Sequence, residues 1–106
     1  MPTFEQARKL ASAWIDVMVD GLAELVPGPT ITKPYGWVFF YQSPEFLRDT
    51  SDFCNALAGN APILIDRVDG EIRVLGTAQP VEWYLSAYEK TIPAARLQMS
   101  IEQPTW

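Results

Sequence analysis

Apolar residues recur at Phe4, Ala7, Leu10, Ala11, Trp14, Met18, Leu22 and Leu25, three or four positions apart. At 100° per residue they fall in one stripe about 120° wide. Glu5, Lys9, Ser12, Asp16 and Asp20 take the opposite face. Thr3 and Gln6 have capping-box spacing, in which the hydroxyl accepts from a free first-turn amide and the glutamine reaches back. A helix is therefore predicted from Thr3 to Leu25, weakened near its end by Gly21. Val26-Pro27-Gly28-Pro29 stops it, because proline cannot continue a helix and glycine favours the turn.

The period then changes. Thr30–Lys33 is short and β-branched and reads as an edge strand ended by Pro34. Gly36 opens Trp37-Val38-Phe39-Phe40-Tyr41-Gln42, apolar on both faces and rich in aromatics, which places this strand centrally in a sheet. Ser43-Pro44 ends it. In Glu45–Asn60, Phe46, Leu47, Phe53, Ala56 and Leu57 predict one short helix, capped by Thr50 or Ser51 and terminated by Gly59.

Asp69-Gly70 separates two β-rich runs by two residues, a strong hairpin signal. A type I′ turn there sets Val68 opposite Glu71, Arg67 opposite Ile72, Asp66 opposite Arg73 and Ile65 opposite Val74. Ile63, Ile65, Ile72 and Val74 then share the core face, and Asp66 and Arg73 form a cross-strand ion pair worth roughly 0.2–1 kcal/mol. Pro80 suits the first turn of a second helix, whose buried stripe is Val81, Tyr84, Leu85 and Tyr88. Pro93 limits that helix, and residues from about 91 to 106 are expected to form an extended tail. The order implies an α+β domain spanning residues 1–106: a small antiparallel sheet of about four strands, with the N-terminal helix and the second helix packed on one face.

Composition narrows the class of protein. The chain has 106 residues, 48% hydrophobic and 20% charged, enough for one core without metal or disulfide support. The single cysteine, Cys54, cannot form an internal disulfide, which favours a reducing cytoplasm. The longest apolar run, Trp37–Tyr41, is far too short to span a bilayer. A net charge of −5 with scattered basic residues argues against nucleic acid as partner.

Candidate chemistry is sparse. The chain has no histidine, which removes the commonest general base, the Ser–His and Cys–His nucleophile pairs and imidazole metal ligands. Cys54 has no evident activating base and reads as a buried structural thiol. Glu45, Asp49, Asp52, Asp66 and Glu82 could act in pairs, as carboxylates do in glycosidases, but their spacing marks no site and solvated surface is the plainer reading. No enzyme activity, cofactor or metal is expected. Two features point to binding. Asp16, Asp20 and Glu24 repeat every four residues as an acidic stripe on the first helix, mutually repulsive unless a basic partner meets them. Trp83 lies about 200° from Val81, on the outer face of the second helix, as an interface anchor would. Trp14 and Trp37 read as core.

Gly36-Trp37-Val38-Phe39-Phe40-Tyr41-Gln42-Ser43, Leu57-Ala58-Gly59-Asn60-Ala61-Pro62-Ile63-Leu64-Ile65-Asp66-Arg67, Asp69-Gly70, Gly76-Thr77-Ala78 and Pro80-Val81-Glu82 with Tyr84 together resemble the immunity protein 35 family. The resemblance covers roughly Trp14 to Tyr88. Members are small bacterial proteins of polymorphic toxin systems, some described as heat-stable and chaperone-like. The resemblance implies an intracellular protein that neutralises a cognate toxin by stoichiometric binding, with no catalytic or metal residues to carry over. The alternative it leaves open is a small chaperone-like protein holding unfolded clients. Asp16, Asp20, Glu24 and Trp83 are the candidate partner-binding residues, and the oligomeric state is open.

Overall fold

The computed structural model describes residues 1–19, 23–48 and 61–106. Helix α1 (Phe4–Met18) opens on the predicted capping box: Gln6 N–H donates to Thr3 Oγ1 at 3.2 Å, and Thr3 N–H donates to Gln6 Oε1 at 2.9 Å. Phe4, Ala7, Ala11 and Ile15 are its buried residues. The helix stops at Met18, short of the predicted Leu25, because the chain from Glu24 onward joins the sheet. There Leu25 pairs with Tyr41 and Val26 with Phe40.

Strand β1 (Glu24–Lys33) therefore includes the Pro27-Gly28-Pro29 run expected to be a turn. The register with β2 (Gly36–Gln42) jumps between Val26 and Ile31, so the prolines sit in an irregularity of an edge strand, where a missing N–H breaks no ladder bond. Helix α2 (Pro44–Arg48) follows β2. The predicted helix ended by Gly59, and Cys54, lie outside the described residues. Strands β3 (Ile63–Asp66) and β4 (Ile72–Val74) complete an antiparallel sheet in the order β1-β2-β3-β4. Helices α3 (Val81–Glu89) and α4 (Ala94–Leu97) close the chain.

The α+β class and the four-stranded sheet agree with the sequence reading, and β2 is central as expected. The helices, however, cover both faces. Trp37, Phe39, Ile63 and Ile65 pack with Phe4, Ala7 and Ala11 of α1. Val38 and Leu64, between them in sequence, pack with Tyr35, Leu75, Leu85 and Tyr88 on the α3 side. Alternation along β2 and β3 places apolar side chains on both sides of the sheet, and each side needs its own cover.

The β3–β4 hairpin is two residues wider than predicted. Ile63 pairs with Val74, Leu64 with Arg73 and Ile65 with Ile72, and Asp66 N–H reaches Glu71 O at 2.9 Å. Gly70 N–H returns to Asp66 O, with Gly70 at φ 75°, a left-handed conformation that glycine adopts without steric cost. Two carboxylates hold this wider loop: Asp66 Oδ1 accepts from Val68 N–H and Asp69 Oδ1 from Glu71 N–H. A shift of two preserves facing, so Ile63, Ile65 and Ile72 still meet the α1 core. Val74 instead stays 56% exposed at the sheet edge, and the predicted Asp66–Arg73 pair does not form.

The segment expected as an extended tail includes α4 and then returns across the α1 side. The Glu102 carboxylate accepts from Phe4 N–H, one of the free amides that every helix start leaves unpaired. Trp37 Nε1–H donates to Glu102 O at 2.9 Å, and Arg67 reaches both Ser100 O and the Glu102 carboxylate. Trp106 stands edge-on to Phe4 and Phe39, with ring centroids 5.4 and 6.0 Å apart. Glu102→Ala removes a charged acceptor from the α1 N-terminus and from Arg67. It is expected to lower the free energy of unfolding by roughly 1.5–3 kcal/mol, read from urea denaturation; an unchanged midpoint would show that the tail does not brace the core.

Candidate functional site

The predicted acidic stripe is not a feature of one helix. Asp16 is exposed on α1, Asp20 lies outside the described residues, and Glu24 is the exposed first residue of β1. The earlier end of α1 is the reason: a four-residue repeat has meaning only while the helix lasts. Trp83 is 56% exposed on α3, across the sheet from α1, so Asp16 and Trp83 belong to different faces of the molecule. Trp37 is fully buried, and Trp14 is half-buried against Tyr41, with ring centroids 6.1 Å apart.

The carboxylates stay apart in role. Glu45 pairs with Arg48 at 3.9 Å along α2, Glu82 is exposed on α3, and Asp49 and Asp52 lie outside the described residues. Among the described residues no group of three or more His, Cys, Asp or Glu side chains converges on a point where a metal could sit.

Pro80 is the N-cap of α3, one position before the first turn, and the predicted stripe then packs as expected. Leu85 and Tyr88 are buried, and Val81 and Tyr84 are partly buried on the same cluster. A cleft of about 310 Å³ runs between α3 and β4, lined by Arg73, Val74, Gly76, Tyr84, Ala87 and Tyr88. Gly76 leaves room for Tyr84 at one wall, since the Tyr84 hydroxyl occupies the place any Cβ would take. That hydroxyl accepts from Gln79 N–H at 3.2 Å. The Arg73 guanidinium lies 4.9 Å from the Tyr88 ring centroid, a cation–π contact at one wall. Trp83 stands edge-on to Tyr84 at 5.0 Å. A large amphipathic ring is thus held exposed on a packed helix, beside a cleft with an aromatic wall and a cation.

Asp66, read from sequence as a surface residue, is 1% exposed. It follows Ile63-Leu64-Ile65 in a strand buried at every position, and that unbroken burial was the available signal. The Tyr88 hydroxyl and the Arg96 guanidinium both donate to Asp66 Oδ2, and Val68 N–H donates to Oδ1 at 2.7 Å. Burial by itself raises the carboxyl's pKa, but these donors and the Arg96 charge outweigh it and hold the group below the ordinary aspartate value. Burial, then the hydrogen bond to Asp66 and its charge, push Tyr88 up to about 12. Tyr35 is driven further above its usual value by burial and by donating to Glu89 at 2.7 Å. Lys33 pairs with the same Glu89 at 3.7 Å. Tyr88, Arg96 and Asp66 tie β3, α3 and α4 together. A folded-state pKa below the unfolded one stabilises the fold fully above the unfolded value of about 3.9, and that stability is lost as pH falls through the folded value. Asp66→Ala is expected to cost roughly 3 kcal/mol at neutral pH, since Arg96 loses its buried partner. The loss should shrink in acid; urea midpoints measured against pH check it, and a loss that does not change with pH would exclude Asp66 as a titrating clamp.

Comparison with known proteins bears on this arrangement. The uncharacterized protein YrhB of Escherichia coli (strain K12) is 54% identical over 54 residues. The match spans 51% of this chain and 56% of that protein, so the chain covers about half the length of this relative. No solved structure matches the chain. The family model for immunity protein 35 matches residues 5–91, from the first turn of α1 to the end of α3. The chain belongs to the immunity protein 35 family.

Proposed function

We propose that this chain is an immunity protein that neutralises a cognate bacterial toxin inside the cell that makes it, by stoichiometric binding and without catalysis. The observation that carries this reading is the family match over residues 5–91. The geometry supports a binding role in a specific way. The titratable groups that are buried serve packing, whereas Trp83, Asp16 and Glu24 are exposed on helix and strand positions. Tryptophan is among the residues most often dominant at protein interfaces, because it buries a large area with few rotatable bonds. Exposed carboxylates on a chain of net charge −5 would speed encounter with a basic toxin surface.

Trp83 and Asp16 lie on different faces, so a toxin need not meet both. Trp83 beside the α3–β4 cleft is the candidate anchor, and Asp16 and Glu24 are candidates for steering. The test begins with co-expression of the chain and the products of neighbouring open reading frames, seeking a stable complex that relieves toxicity. Trp83→Ala is expected to weaken toxin binding at least tenfold, equivalent to about 1.4 kcal/mol, with no change in the urea midpoint. Asp16→Lys with Glu24→Lys should slow association and flatten its dependence on salt. Protection of several unrelated clients from thermal aggregation, with no toxin-specific complex, would favour the chaperone-like reading instead.

A further inference from the structure

We infer that two copies of the chain associate antiparallel through the open edges of β4, about a two-fold axis at Ile72. The sheet has two edges, and they differ. On β1, Pro27, Pro29 and the register jump between Val26 and Ile31 interrupt the ladder, a common way of blunting an edge against pairing. β4 has no proline. Its hydrogen bonds to β3 fall at Asp66–Glu71 and Pro62–Leu75, so Glu71, Arg73 and Leu75 turn their main-chain groups inward, and Ile72 and Val74 turn theirs away from β3. Among the described residues nothing accepts or donates at those outward groups.

The side chains on this edge complement themselves. A two-fold axis at Ile72 places Ile72 opposite its own copy as a hydrogen-bonded pair, Glu71 opposite Arg73, and Val74 opposite Gly70. Glu71 and Arg73 then meet twice at the closer, non-hydrogen-bonded spacing. Within one chain Arg73 Nε already lies 3.1 Å from Glu71 Oε1, and both side chains are about half exposed, so two copies would form an alternating ring of four charges. On the other face Val74, 56% exposed, would lie over Gly70, which has no side chain. A side chain at Gly70 would touch Pro2 and Leu10 at 3.6 and 3.8 Å, and these two, with Met1, Gln6 and Lys9, line an open groove of about 560 Å³. Met1 and Leu10 are themselves 71% and 39% exposed, giving Val74 of a second copy an apolar seat. One-residue displacement of the axis to Arg73 would oppose Arg73 to itself, so charge disfavours that register.

The test is sedimentation velocity of the full chain over a concentration series. The parent chain is expected to approach twice its monomer mass. Val74→Pro removes only an N–H that points away from β3, so the monomer should keep its urea midpoint while the dimer Kd rises at least tenfold. Arg73→Glu sets Glu71 against a glutamate across the axis and should weaken the dimer similarly. The exchange Glu71→Arg with Arg73→Glu restores opposite charges in every pairing and should return the Kd to near that of the parent. A chain that stays monomeric throughout, or a dimer indifferent to Val74→Pro and Arg73→Glu, overturns the proposal.

Discussion

A strand that is apolar on both faces must be covered twice, and β2 imposes that condition on the whole molecule. Trp37, Val38 and Phe39 are each fully buried, although successive side chains point to opposite sides of the sheet. Trp37 and Phe39 require α1, and Val38 with Leu64 requires α3. Burying side chains of this size is worth roughly 1.5–3 kcal/mol each. Losing either cover would therefore forfeit a large fraction of the 5–15 kcal/mol by which a domain is ordinarily stable. The three-layer arrangement follows from that strand, and the remaining contacts serve to hold its two covers in place.

The α3 cover is held by polar anchors at the sheet's end. Asp66 shares the α3 side of β3 with Leu64 and receives Tyr88 from α3 and Arg96 from just past the next turn. Glu89, at the end of α3, receives Tyr35 from the β1–β2 connection and Lys33 from the end of β1. On the α1 side the anchor comes from the opposite end of the chain, where Glu102 meets the first amide of α1 and the side chain of Arg67. A carboxylate there answers both the unpaired amides and the positive end of the helix dipole. The family match stops at residue 91, so Arg96, Ser100, Glu102 and Trp106 brace the core from outside the matched region.

Local signals were legible where one residue type has one strong preference. The Thr3–Gln6 capping box, the central position of β2 and the stripe of Val81, Tyr84, Leu85 and Tyr88 could all be read from spacing. The end of α1 could not, because Leu25 continues the helical period, and its pairing with Tyr41 in the sheet overrides it. Asp69-Gly70 marked the hairpin correctly but not its width, since Gly70 alone among the described glycines is left-handed and two aspartates cap the wider loop. The apolar run Ile63-Leu64-Ile65 hinted at the burial of Asp66 but not at what holds it, since its partners Tyr88 and Arg96 lie 22 and 30 positions away. Of the candidate site, the outward direction of Trp83 was readable from helical period, but the face it shares was not, because that depends on which side of the sheet α3 covers.

This division has a consequence for how specificity can be written on such a scaffold. The strings that carry the family resemblance fall on β2, on β3, on the Asp69-Gly70 turn, on Gly76 and on the entry to α3, where a change in side-chain volume alters packing density and stability together. Glycine at position 76 is held by the Tyr84 hydroxyl rather than by any ligand. Trp83, one residue before Tyr84, carries no such constraint, since more than half of it faces solvent. Two adjacent positions therefore include one fixed by the core and one free to vary at the surface. Because α3 is anchored through Tyr88 and Glu89, an exchange at position 83 would change what the surface meets without moving the helix that presents it.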